Sequence, residues 1–376
     1  MTGTVLTRRA LNRTTLGRQA LLERAAMPAL DMVGRLVAVQ AQEPDAPYVG
    51  LWTRLEGFGH DDLAGLLEDR RVVRSTVLRG TQHLVAADDY LWLRPLVQPV
   101  LERVWRGTLG RRSDGVDPAE LAAATRGLLA GRILTRSQLR DLLAERWPGH
   151  DGQALAWAAQ ALVPLVHPPP AGTWRRRGAI PVALAEDWLG RPLAAPAPET
   201  LLRRYLAAFG PASVADVQAW SGLSRLREVA DRLGGELRSY RDEACRELLD
   251  LPEAPLVAPD VPAPVRFLPE FDNLLLGHAD RTRVLGDEHR GLVVAGLAAV
   301  LVDGFARAVW TITREGGTAT LVVEALGDPL PAADRAAVAG EGARLLAFAA
   351  GDATGHDVRF APPGPTASPG PRRGRS

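Results

Sequence analysis

The sequence predicts an α+β protein: three tandem winged helix-turn-helix motifs followed by a small C-terminal β-barrel-like domain. Three observations carry this. The order of short amphipathic helices followed by a β-branched hairpin comes round three times. A proline-rich stretch, residues 252–264, then interrupts the pattern. Beyond it, short β-branched runs precede one long closing helix.

Composition sets the outer bounds. At 376 residues the chain is long enough for two or three cores, and 46 % hydrophobic with 24 % charged residues is an ordinary globular balance. No run is long and apolar enough for a membrane span, and the N-terminal residues lack a signal core, so the expected location is cytoplasmic and no membrane partner is expected. Cys245 is the one cysteine, which excludes an internal disulfide and a multi-thiolate zinc site. The seven histidines are scattered; His278 and Asp280 share a loop, but two ligands read as structural. Neither a phosphate loop, a dinucleotide fingerprint nor a serine elbow is present, so neither metal nor cofactor is expected. The formal charge is +1, and all 45 basic residues are arginine. Without lysine, a lysine Schiff base is ruled out, and phosphate contacts must come from guanidinium forks, hydroxyls and backbone amides.

The first motif occupies residues 1–110. A helix is expected from Asn12 to Ala26, with Thr14 or Thr15 near its cap. A second carries Met32, Val33, Leu36 and Val37 on a buried stripe and ends close to Ala41, because Pro44 pushes Glu43 out of the α region. Two short amphipathic pieces follow, at 49–56 and 61–68. A hairpin then turns at Arg79-Gly80 between two β-branched runs within 71–85, and a long helix covers 87–108.

Residues 111–195 repeat the order. Asp117-Pro118 opens a helix to Leu129, Thr135 caps another, 153–162 gives a third, and Gly172–Gly178 supplies a basic wing. Residues 196–255 repeat it again, with helical segments at 199–209, 212–223 and 226–233 and a wing at 237–250. Thr135 matches Ser213 as an N-cap; Leu139 matches Val217 and Leu142 matches Trp220 as core positions. In the C-terminal domain, 256–360, strands are expected at 265–268, 291–294, 300–302, 308–313 and 319–323, with a hairpin turn at Arg314–Gly317 and a closing helix over 332–349. Residues 361–376 have the composition of a disordered tail.

Gln40 is the anomaly in the first motif, since the helical stripe asks for an apolar residue there. If the chain straightens at Ala41, Gln40 and Gln42 face one small volume, because residues two apart share a face of extended backbone. Glutamines at a helix end also serve as plain caps, and taken alone the pair fits that role. Arginine placement points to DNA: Arg74 and Arg79 flank the first wing, Arg175, Arg176 and Arg177 tip the second, and Arg281 and Arg283 lie in a later loop. Each singly fits a solvated surface charge. Thr81 and His83 in the first wing are further contact candidates, although a wing histidine bonded to backbone is an equal alternative for His83.

Several segments carry a family resemblance. They include Leu11-Asn12-Arg13, Gln40-Ala41-Gln42, Tyr48–Arg54, Arg79–Val85, Tyr205–Pro211, Leu268–Gly277 and Val302–Phe305. Together they cover nearly the whole chain apart from the tail and resemble the AlkZ family of winged-helix DNA glycosylases. The resemblance implies a C-shaped arrangement of the three motifs around duplex DNA, with Arg13 joining the contact set. It also implies Gln40 and Gln42 as the Gln-x-Gln catalytic motif, and removal of bulky or interstrand-crosslinked N7-alkylated guanine by a monofunctional enzyme, with a monomer sufficing. Glu43 or Asp45 could add electrostatic help. The competing reading is a non-catalytic DNA-binding protein, either a regulator or a lesion-masking protein; a small-molecule sensor has no ligand domain in its favour.

Overall fold

The order helix, short strand, helix, helix, hairpin recurs because each round must bury a helical stripe against its own strands. We describe a computed structural model covering residues 4–108, 110, 115–291 and 295–362. After β1 (Val5–Leu6) and α1 (Arg8–Arg18), the first round contains α2 (Ala29–Arg35), β2 (Val39–Gln40), α3 (Ala46–Trp52), α4 (His60–Glu68), β3 (Val72–Thr76) and β4 (Gln82–Ala86). The connecting helices α5 (Ala87–Leu96) and α6 (Gln98–Thr108) lead into the second round. It contains α7 (Pro118–Leu129), β5 (Leu134–Thr135), α8 (Arg136–Arg146), α9 (Gly152–Leu162), β6 (Leu165–Val166) and β7 (Pro181–Leu184), and α10 (Ala185–Leu189) closes it. The third contains α11 (Pro198–Phe209), α12 (Val214–Ser221), α13 (Leu226–Leu233), β8 (Arg238–Asp242) and β9 (Glu247–Asp250).

In every round the early extended segment pairs antiparallel with the last strand: Val39 with Leu84, Leu134 with Val182, and Ala212 with Leu249. Thr135 and Ser213 both form capping boxes, with Gln138 and Asp216 reaching back to the cap backbone. The first two rounds are joined edge to edge where Ser75 pairs with Val166, giving one six-stranded sheet of order β2-β4-β3-β6-β7-β5. Its centre is buried on both faces: Val73 and Val85 enter one apolar core, and their chain neighbours Val72 and Leu84 enter another. The second of these cores joins the first round to the C-terminal sheet.

That sheet corrects an expectation. Strands β10 (Arg266–Leu268), β11 (Ala299–Val302), β12 (Phe305–Glu315), β13 (Thr318–Ala325) and β14 (Gly355–Ala361) lie in sequence order, with α14 (Asn273–Leu276) after the first and α15 (Ala332–Ala349) before the last. β10 and β14 are opposite edges, so the sheet is open and not barrel-like. The unforeseen β14 pairs parallel with β13, and a parallel neighbour requires a crossover, which α15 supplies.

Local differences have local causes. α1 begins at Arg8, capped by the Thr7 hydroxyl, and ends before Ala20 (φ 54°), well short of Ala26. α2 ends at Arg35 and not at Ala41, because Val37 (φ 66°) turns the chain so that 39–40 can join the sheet. The helix expected over 87–108 divides at Val97, where Pro99 has no N–H to offer Pro95 and its ring crowds that residue's carbonyl. The strand expected at 291–294 falls largely on 292–294, outside the described residues, as does the tail from 363.

Candidate active site

Gln40 and Gln42 sit on extended chain, as the pair of amides requires, but the extension belongs to a strand and begins before Gln40. The segment is held from three sides. Asn273 donates from Nδ2 to the Ala38 carbonyl at 2.7 Å and accepts from the Gln40 N–H at 3.4 Å. The Ala41 N–H donates to the Gln82 carbonyl at 2.8 Å, and the Arg74 guanidinium donates to the Ala41 carbonyl at 3.0 and 3.3 Å. Val37 in the left-handed region is costly for a β-branched side chain, by about 1–3 kcal/mol, and persists because the packing around it is fixed.

The first hairpin then orients the side chains. The Thr81 hydroxyl donates to Gln40 Oε1 at 3.2 Å, and the Gln82 N–H donates to Gln42 Oε1 at 3.4 Å. Each carbonyl keeps a second lone pair, and neither amide nitrogen has a protein acceptor among the described residues. Gln40 is buried (6 % exposed) and borders a small recess, and Gln42 is partly exposed.

The other expected residues separate into three groups. Arg13, Arg283 and His83 are buried, so this structure does not turn them toward a groove. Arg13 is ion-paired with Asp303, and Arg283 donates to the Thr15 hydroxyl and the Pro211 carbonyl at 3.3 and 3.2 Å. His83 keeps Nδ1 3.0 Å from the Thr81 carbonyl, and burial, with the nearby Arg79 charge, pushes it down to about 3, so it is neutral. Arg79 and Arg281 are partly buried: Arg79 donates to the Trp220 carbonyl, and burial followed by the Arg281 charge lowers it to about 10. Arg175, Arg176 and Arg177 are exposed. Arg175 donates its backbone N–H to Asp45 at 2.7 Å and pairs with Asp352 at 2.8 Å, and Arg177 pairs with Asp45 at 2.8 Å. Arg176 has no ion-pair partner among the described residues.

With this geometry in view, comparison with known proteins places the chain. Residues 33–348 match the family model described as DNA glycosylase AlkZ-like. The chain belongs to the AlkZ-like family. It is similar to an interstrand DNA cross-link repair glycosylase of Streptomyces sahachiroi, 28 % identical over 324 residues covering 79 % of this chain and 86 % of that protein. The solved structure of Streptomyces sahachiroi DNA glycosylase AlkZ aligns with a TM-score of 0.76 at 27 % identity, covering 95 % of this chain and 100 % of that one.

In this AlkZ-like chain the segment Pro269–Asn273 completes the recess beside Gln40. Asp272 and Arg54 form a buried bidentate pair at 2.7 and 2.8 Å, which fixes Asn273 beside Gln40. Phe271 is left-handed (φ 57°) and re-aims the chain between Leu268 and Asp272. A narrow cleft lies here, lined by Gln40, Val39, Arg54, Glu270, Asp272 and Asn273 among others. The segment was visible in the sequence as one of the family-like stretches, but nothing local to it announces contact with residue 40. Among the described residues, no group of three His, Cys, Asp or Glu side chains is arranged to hold a metal ion, and no helix is long and apolar enough to cross a membrane.

Proposed function

We propose that this protein is a monofunctional DNA glycosylase that hydrolyses the N-glycosidic bond of N7-alkylated guanine in duplex DNA, including bulky and interstrand-crosslinked adducts. The observation that carries the reading is the Gln40–Gln42 pair, clamped at the backbone by Asn273 and Arg74 and oriented by Thr81 and Gln82. A regulator has no evident use for two amides fixed in this way. The relatives' names, one of them a cross-link repair glycosylase, support the substrate class.

The chemistry follows from the leaving group. Guanine alkylated at N7 is cationic and departs neutral, so it needs little of the factor of about 10² to 10⁴ that a general acid supplies. What remains is to hold a water below the anomeric carbon as an oxocarbenium-like centre forms. Amide oxygen and nitrogen can orient that water. Glutamine is a negligible base, which biases the site toward lesions that are already charged. A Lys-dependent strand cleavage is closed to a chain without lysine.

We read the three rounds as winged helix-turn-helix units that contact the duplex together in a C shape, the protein acting as a cytoplasmic monomer without cofactor or metal. Exposed Arg176 and partly buried Arg281 are the cations nearest to this role. A crosslinked base cannot swing freely into a closed pocket, and a recess beside a partly exposed glutamine suits an approach from a groove. The test is release of base from a panel of duplexes carrying N7-methyl, bulkier N7 and crosslinked guanine, read as alkali-labile abasic sites. Gln40→Ala with Gln42→Ala should lower single-turnover release by at least about 10²-fold. A double variant as active as wild type would falsify the role of the pair, and inactivity of the wild type on every adduct would leave a DNA-binding protein.

A further inference from the structure

Two amides can aim a water but cannot take its proton, and the recess holds a carboxylate that can. Glu43 and Asp45 follow the glutamine pair in the chain, and Asp272 and Glu270 line the cleft beside Gln40. Asp272 is bound bidentately by Arg54. Asp45 accepts from the Arg175 N–H and the Arg177 guanidinium. Glu43 is exposed, and its charge acts on Arg74. Buried Asp250, Asp272 and Glu341 each have a guanidinium within 2.8 Å, whereas the partly buried Glu270 has no ion pair among the described residues.

Its placement is over-determined. The Trp310 indole donates to the Leu268 carbonyl at 2.9 Å on one side, and the Asp272–Arg54 pair anchors the other. Phe271 between them is held in the left-handed region, the kind of backbone strain that collects where a neighbouring side chain must be aimed. We infer that Glu270 is the general base of the reaction: its carboxylate takes the proton from the water that the glutamine pair orients. This rests on the glycosylase reading. As the C1′–N9 bond breaks, its electron pair leaves with the purine, which becomes neutral. The water oxygen forms the new bond to C1′, and its proton passes to Glu270. Charge and atoms balance without another reactant.

The surroundings suit a base. Burial, then the charges of Glu43 and Asp45, hold the Glu270 carboxyl above the usual 4.5. Of the cleft's other charged groups, Arg54 and Asp272 neutralise each other. A cationic lesion entering beside Glu270 would favour its ionised form, so base and substrate select one another.

The experiment is single-turnover release of N7-methylguanine from duplex oligonucleotide between about pH 4.5 and about pH 8. Wild type should lose rate toward acid, about tenfold per pH unit, below the midpoint at which Glu270 takes up its proton. Glu270→Gln should lower the maximal rate by about 10²- to 10⁴-fold, abolish the acid limb, and leave half-saturation by DNA within about twofold. A Gln variant within about threefold of wild type, or one that keeps the acid limb, overturns the inference while the glycosylase reading stands. If the Gln variant folds poorly by circular dichroism, Glu270→Asp carries the test. It should keep the acid limb and lose about tenfold or more in maximal rate, because a carboxylate withdrawn by one methylene is misplaced; full activity there overturns the inference. Wild type that releases base from no adduct overturns both readings together.

Discussion

The first and second hairpins hold equivalent places in their rounds, and both carry arginines at the turn, yet they do opposite things. The first, β3–β4, pairs over five residues, turns tightly and is buried on both faces. Arg79 at its turn is left-handed and bound to the Trp220 carbonyl. Gly80 (φ 76°) lies so near α6 that a Cβ there would sit 3.0 Å from Val104 Cγ1. The second hairpin pairs over two residues, then runs out through 167–180 to three exposed arginines, of which Arg175 and Arg177 pair with the surface carboxylates Asp352 and Asp45. One hairpin is a mount for the glutamines; the other is a charged arm. Burial on two faces makes a strand pair stiff enough to aim an amide, whereas the surface salt bridges of the long loop, to Asp45 and Asp352, add little stability.

Substitutions should separate the two. Arg79→Ala removes a charge-assisted bond and leaves the Trp220 carbonyl without it, so urea unfolding should report a loss of about 1.5–3 kcal/mol. A loss no larger than that of a surface arginine would mean the first turn is not anchored.

Acid should come next in size. His83 in the first hairpin and His167 at the base of the second are both buried and pushed down to about 3, by burial first and then by a neighbouring arginine. Because the unfolded chain takes up a proton near 6.5 and the folded one does not, the stabilisation is complete above 6.5 and is lost as pH falls toward 3. Between about pH 7.5 and about pH 5.5 each should cost about 1.4 kcal/mol. His83→Gln should flatten the measured slope by one histidine's share; an unchanged slope would place His83 in contact with water.

Replacing Arg175, Arg176 and Arg177 together by Ala should move stability least, by about 1 kcal/mol or less. DNA affinity should nevertheless weaken, and its salt dependence should become shallower by about 0.9 for each phosphate that is no longer neutralised. An unaltered salt slope would remove the second hairpin from the DNA interface.

Some of this was legible in the chain. Thr135 and Ser213 are capping residues with a partner three positions on, and such signals are local, so they read correctly. The Gln-x-Gln spacing also read correctly as two amides on extended chain, although the extension was assigned to a helix end and not to a strand. What failed was non-local. Nothing near Val37 announces a left-handed residue, since its cost is met by packing across the sheet. Arg13 and Arg283 look like any surface arginine until Asp303 and the Pro211 carbonyl, far off in the chain, close over them. β14 was hidden because its pairing with β13 depends on the crossover through α15.

By itself the sequence determined the threefold order of helices and hairpins, the exclusion of lysine and disulfide chemistry, and the two amides at 40 and 42. Period and caps act over a few residues, and a missing residue type cannot be supplied by folding. Only the tertiary structure decided which guanidiniums are structural pins and which face solvent, and that Asn273 and Glu270, some 230 positions away, share a recess with Gln40. An arginine tolerates burial only where carbonyls and carboxylates meet its fork. Those partners are chosen by long-range packing, which no local window of sequence contains.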